Sequence, residues 1–167
     1  MTKKIVIAAL ATVVMIVVMR WMGIGLISNV SPLGIVSFEL APNFSAAKEI
    51  VTSVGQRPLQ WNVGIDFIFI LAYTFFFFFC CKALMNSFRS SGLRTLGFIF
   101  LELSVLIGVL DFIENVAMLI TLGGYGTDLS VSVSKWAAIL KFSLLALVVV
   151  YILVASILVY LISKKKV

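Results

Sequence analysis

A chain of 167 residues is 62% hydrophobic with a mean hydropathy of +1.19, and only 12% of its residues are charged. Soluble domains carry about a quarter charged residues, so this composition excludes that class and points to an integral membrane protein. The net charge of +6 does not signal a nucleic-acid partner, because the basic residues gather in short segments beside apolar runs, where they act as topology signals.

The chain starts with Thr2-Lys3-Lys4 followed by an apolar run from Ile5 to Met19. This resembles the beginning of a secretory signal, but the apolar pattern resumes after Arg20 through Trp21 to Ile27, with no small-residue cleavage site. A retained first span over about residues 5–27, with an interior arginine, is therefore expected. Ser28 to Gln60 is the longest segment between spans and opens on the turn cluster Ser31-Pro32-Leu33-Gly34. Within it, Phe44, Ala47, Val51 and Val54 recur at helical spacing, with Asn43 as N-cap and Gly55 as stop. They predict a short amphipathic helix over about 44–54, on the membrane surface or over the bundle mouth.

A second span is expected over about 62–84. Its run Phe75 to Phe79 must partly face lipid, whereas Asn62, Asp66, Phe69 and Tyr73 fall on one face and form a polar stripe in its first half. Cys80 and Cys81 near its end lack CxxC spacing, and the chain holds no histidine, so they read as reduced packing thiols and no metal site or cofactor is expected. A basic turn from Lys82 to Arg94 leads to the third span, about 95–122, where Glu102 is expected to pair with that turn or with a neighbouring helix. Gly123-Gly124-Tyr125-Gly126 ends the span, and Asp128 to Ser134 reads as a polar link to a fourth span over about 136–162, which contains Lys141.

Lys3 and Lys4, then Lys82, Arg89 and Arg94, then Lys164 to Lys166 carry eight positive charges on one side of a four-span chain. The segments on the other side balance to zero, with Lys48, Arg57 and Lys135 against Glu39, Glu49 and Asp128. The positive-inside rule then predicts cytoplasmic termini and an extracytoplasmic amphipathic loop.

The third span carries the most unusual stretch, Asp111-Phe112-Ile113-Glu114-Asn115. An ionised carboxylate at the middle of a bilayer costs about 2.5 to 3.5 kcal/mol on insertion scales, so a partner must compensate it. At about 100° per residue, Asp111, Glu114 and Asn115 share one side of the helix. Counting along the spans puts Arg20 about 10 Å, Asp66 about 6 Å and Lys141 about 8 Å from the outer ends of their helices, with Glu114 about 12 Å and Asp111 about 16 Å deep. An inward-facing bundle would set Arg20 and Lys141 against Asp66, Asp111 and Glu114, with Tyr73 and Asn115 adding hydrogen bonds. One acid is left over, which a proton, a cation or a cationic or hydroxylated ligand could satisfy. The plainer alternative is a salt-bridge network that only fixes helix register.

Catalytic templates are missing: no histidine activates a nucleophile, no Glu-x-x-His pair builds a di-iron site, and no phosphate or dinucleotide loop is present. Phe38-Glu39-Leu40-Ala41, Asp66 with Phe67 to Tyr73, and Asp111 to Asn115 together resemble a set of uncharacterised bacterial four-helix membrane proteins of unknown function. That resemblance implies a bacterial inner-membrane location and implies that Glu39 joins the pocket, its loop folding over the outer mouth. The resulting expectation is an all-α four-helix transmembrane bundle with a charged pocket of Arg20, Glu39, Asp66, Tyr73, Asp111, Glu114, Asn115 and Lys141. Such a pocket suits a binding protein or accessory subunit for a lipid, ion or small molecule. An intramembrane enzyme acting on a lipid, and a purely structural subunit packed on a membrane-protein partner or on copies of itself, are the alternatives.

Overall fold

The computed structural model describes residues 2–164, and among these it contains helices and no strand. Six α-helices follow one another: α1 (Thr2–Gly23), α2 (Ile35–Glu39), α3 (Phe44–Val54), α4 (Gln56–Ser87), α5 (Ser91–Ile120) and α6 (Asp128–Lys164). A 3-10 turn over Ile24–Leu26 extends α1, and a wider π-type turn over Thr121–Tyr125 extends α5. Four of these stretches, Thr2–Leu26, Gln56–Ser87, Ser91–Tyr125 and Asp128–Lys164, are long and apolar enough to cross a membrane. Lys165 and Lys166, two of the basic residues used to orient the chain, lie outside the described residues.

Helix ends account for two departures from the sequence reading. Asp128 to Ser134, expected as a polar link, is the first two turns of α6. Its start is fixed by a reciprocal cap in which the Ser130 amide donates to Thr127 Oγ1 at 3.3 Å and the Thr127 amide donates to Ser130 Oγ at 3.0 Å. Asp128 in the first turn complements the positive end of the helix dipole and accepts from the Phe44 amide at 2.8 Å. Helix α4 begins at Gln56, ahead of Trp61, because Pro58 sits in its first turn, where a missing N–H breaks no intrahelical bond. Glu102 is exposed on the outer face of α5 and joins no ion pair among the described residues.

The short helices close one end of the bundle. Asn43 Oδ1 caps α3 by accepting from the Ala46 amide at 2.9 Å, and Gly55, at φ +90°, turns the chain directly into α4. Ala47 and Ile50 of α3 are buried, while Lys48, Glu49 and Thr52 are exposed. Phe38, Ala41, Leu59, Val63, Met118 and Val131 join Ala47 and Ile50 in an apolar cluster at this end. A second cluster at the opposite end contains Ile70, Cys81, Leu101, Ile107, Val148 and Tyr151. Along α4, α5 and α6, the residues between these two clusters are Asp66, Asp111 to Asn115 and Lys141, so the polar layer lies between two apolar ones.

Helix α5 is the central element, packed on α4 to one side and α6 to the other, and α1 packs chiefly on α4. Close approach of α4 and α5 depends on small residues, which let the helix backbones come near each other. A Cβ added at Gly97 would lie 2.8 Å from Met85 Cβ, and one added at Gly108 would collide with the Thr74 side chain. Substituting Gly108→Val is expected to cost about 1–3 kcal/mol by overpacking. Thermal unfolding of the detergent-solubilised chain measures this, and Thr74→Ala in the same chain should restore part of the loss.

Candidate functional site

Lys141 is the centre of the polar layer. Its position on α6 is 6% exposed, and its Nζ donates to Asp111 Oδ1 at 2.6 Å and to Glu114 Oε1 at 2.9 Å, with Glu114 Oε2 2.8 Å away. Glu114 is fully buried, so an apolar bundle interior surrounds the pair. A buried ion pair is tolerated only where charge and hydrogen bonding are closely matched, and here two carboxylates share one ammonium. Tyr73 on α4 carries the network across the bundle, its hydroxyl donating to Asp111 Oδ2 at 2.6 Å. Asn115 makes a second tie between α5 and α4 by donating from Nδ2 to Asp66 Oδ2 at 2.8 Å.

Glu39 enters from the closed end. It is the last residue of the five-residue α2, held down by its buried neighbours Phe38 and Ala41, and it is itself 7% exposed. Its Oε2 lies 3.8 Å from Lys141 Nζ, an ion-pair distance without a hydrogen bond. Burial pushes the Glu39 carboxyl above its usual range, against the lowering influence of Lys141, while Asp111 adds to the rise.

Seven of the eight expected site residues therefore converge: Glu39, Asp66, Tyr73, Asp111, Glu114, Asn115 and Lys141. Arg20 does not. It is exposed in the last turn of α1 and forms no ion pair among the described residues. The charge count changes accordingly, to one cation facing four acids. No described cluster of three or more His, Cys, Asp and Glu residues has the arrangement of a metal site.

A cleft of about 360 Å³ runs from this layer toward the outside of the bundle, between Thr12, Ile16 and Met19 of α1 and Lys141, Phe142 and Leu145 of α6. Phe69, Phe77 and Ile107 line its apolar part, whereas Glu39, Asp66, Tyr73, Asp111 and Lys141 line its polar part. Ile16 and Phe142, on opposite walls, are exposed. The sequence gives no sign of this cleft, because it results from α1 packing on α4 and leaving α6 open.

Beside the cleft lies a smaller cavity of about 20 Å³, lined by Glu39, Asn62, Asp66 and Asn115 together with Met19, Ile35, Val63 and Met118. Asn62 is 1% exposed, and neither of its side-chain polar atoms has a hydrogen-bond partner. The sequence places Asn62 on the polar face of α4 but assigns it no role.

Removing the ammonium with Lys141→Met leaves buried carboxylates without a partner, and a loss of about 3–5 kcal/mol is expected. Arg20→Ala should change stability by no more than about 0.5 kcal/mol. Chemical or thermal unfolding of the two variants in one detergent compares them directly. For Glu39, the raised folded value means that the folded chain binds the proton more tightly than the unfolded chain does. Its contribution to stability is then fully present below the ordinary value of 4.5 and is lost as pH rises through the raised one. Melting curves between about pH 4 and pH 9 should show Glu39→Gln gaining on the native chain as pH increases, and no gain would remove Glu39 from the buried layer. Compared with protein-family models, curated proteins and solved structures, the chain matches none of them.

Proposed function

We propose that the chain is a multi-pass protein of a bacterial inner membrane, with both termini cytoplasmic, that binds an amphiphilic molecule entering sideways from the bilayer. The observation that carries this reading is the cleft between α1 and α6, an apolar channel ending on a charged layer. Its volume is in the range of small-molecule sites, which are mostly apolar with a few converging polar groups. A hydrocarbon tail fits along Ile16, Phe69, Phe77, Ile107 and Leu145, and a polar head reaches Glu39, Asp66 and Asp111.

The charge count narrows the head group. With Arg20 outside the layer and Lys141 already held by two acids, the described residues lining the cleft leave no free cation to take a phosphate or carboxylate. The head that fits is an amine or a polyol, which donates hydrogen bonds to carboxylates. The same bonding favours binding over acid–base chemistry. Asp111 is engaged by both Lys141 and Tyr73, and Glu114 by Lys141, so the carboxylates best placed in the cluster already have partners.

Native mass spectrometry of the full chain released from mild detergent tests the proposal. An adduct of lipid mass with an amine or polyhydroxyl head is the expected result, and Ile16→Trp, which narrows the mouth of the cleft, should reduce it at least about tenfold. An adduct-free native chain, or retention unchanged by Ile16→Trp, would leave a structural subunit as the better account.

A further inference from the structure

The small cavity beneath α2 combines two features that ordinary packing does not. The first is charge: among the described residues, Lys141 is the one basic side chain paired with Glu39, Asp111 and Glu114, and Asp66 adds a fourth acid held only by Asn115. Buried charge without a counter-charge is strongly unfavourable, so beyond Lys141 the layer calls for bound protons or for a further cation competing with them. The second is unmet bonding. Asn62 presents a side-chain carbonyl and amide without partners, and Glu39 Oε2 has no hydrogen bond. Buried polar atoms in native proteins are nearly always satisfied, and these atoms belong to residues lining one space of about 20 Å³. That is room for about one water-sized sphere.

We infer that this cavity is a binding site for a single small monovalent cation of the size of sodium. Oxygen atoms are the donors that a hard cation selects, and the walls offer the carboxylates of Glu39 and Asp66 and the amides of Asn62 and Asn115. A divalent ion fits less well, because calcium takes about six to eight oxygens and magnesium keeps several waters, for which there is no space. A water molecule could meet the bonding of Asn62 only with protons retained on the acids, whereas a cation meets both bonding and charge, and the two are told apart by the competition between sodium and protons. Met19, Ile35, Val63 and Met118 form the remaining walls. The inference does not depend on the amphiphile proposed for the cleft, since Asn62 lines the cavity and does not line the cleft.

The test uses the full chain in detergent at neutral pH, with sodium chloride exchanged for choline chloride at constant ionic strength. Sodium should raise the unfolding temperature along a saturating curve, by about 5 °C or more at a hundredfold excess over half-saturation. Potassium, which is larger, should need a higher concentration. Lowering the pH should move half-saturation to higher sodium, because protons compete for Glu39 and Asp66, with Asp111, Glu114 and Lys141 setting the field around them. Asn62→Leu should flatten the sodium response while leaving any lipid adduct in place. Identical curves in sodium and choline, or an unchanged sodium response in Asn62→Leu, would overturn the inference. If Asn62→Leu fails to fold, sodium-23 line broadening by the native chain, reversed by lithium, decides the matter, and its absence would also overturn it.

Discussion

Lys141 has to be satisfied inside an apolar bundle, and most of the architecture serves that requirement. Its side chain is only 8% exposed, so Asp111 and Glu114 of α5 must be within bonding distance, and they lie 2.6 to 2.9 Å away. Those bonds leave α5 and α6 little freedom to slide or rotate, because a rotation of about 100° for one residue would carry a charge into the apolar surround. Tyr73 and Asn115 extend the constraint to α4 through Asp111 and Asp66. The apolar clusters on either side supply most of the buried area but little directional information. Register comes from the polar layer between them.

The closed end of the bundle is joined to the same layer. Helix α3 begins with its amide on Asp128, at the head of the helix that carries Lys141, and Gln56 Nε2 at the start of α4 donates to the Leu122 carbonyl at 2.6 Å. Between these two ties sits α2, which lowers Glu39 into the interior beside Lys141. The loop between the first two long helices is therefore a structural cap that contributes a carboxylate, in addition to connecting those helices.

Much of this could be read from the sequence, and where it could not, the physical reason can be stated. Asp111, Glu114 and Asn115 declare a shared face by spacing alone, and Asn62, Asp66 and Tyr73 do so on α4, because polar residues mark an azimuth on an otherwise uniform helix. Arg20 went astray because α1 is apolar on every side around it, so nothing in its pattern says which way it turns. Height along a helix can be counted, but direction cannot without a stripe. Glu102, nine residues and so about 180° from Asp111, falls on the opposite face by count, and only its expected pairing fails, because the described residues bring no basic side chain to that face. Glu39 sits in a loop segment too short for periodicity, and only the resemblance of Phe38-Glu39-Leu40-Ala41 drew it toward the pocket. Its burial follows from Phe38 and Ala41, which anchor the turn on both sides of it. The cleft and the cavity arise between helices, in the way α1 sits against α4, and no stretch of chain encodes either by itself.

The position of Lys141 on the last long helix has a consequence for how the chain is made. Synthesis delivers Asp111 and Glu114 before the residue that neutralises them, so on leaving the ribosome α5 carries two acids with no basic partner on that helix's inner face. In the bilayer placement proposed here, that helix would be poorly retained alone, and the short turn from Thr121 to Thr127 allows α5 and α6 to enter as one hairpin. On that placement, the third helix would complete its insertion only when the fourth arrives.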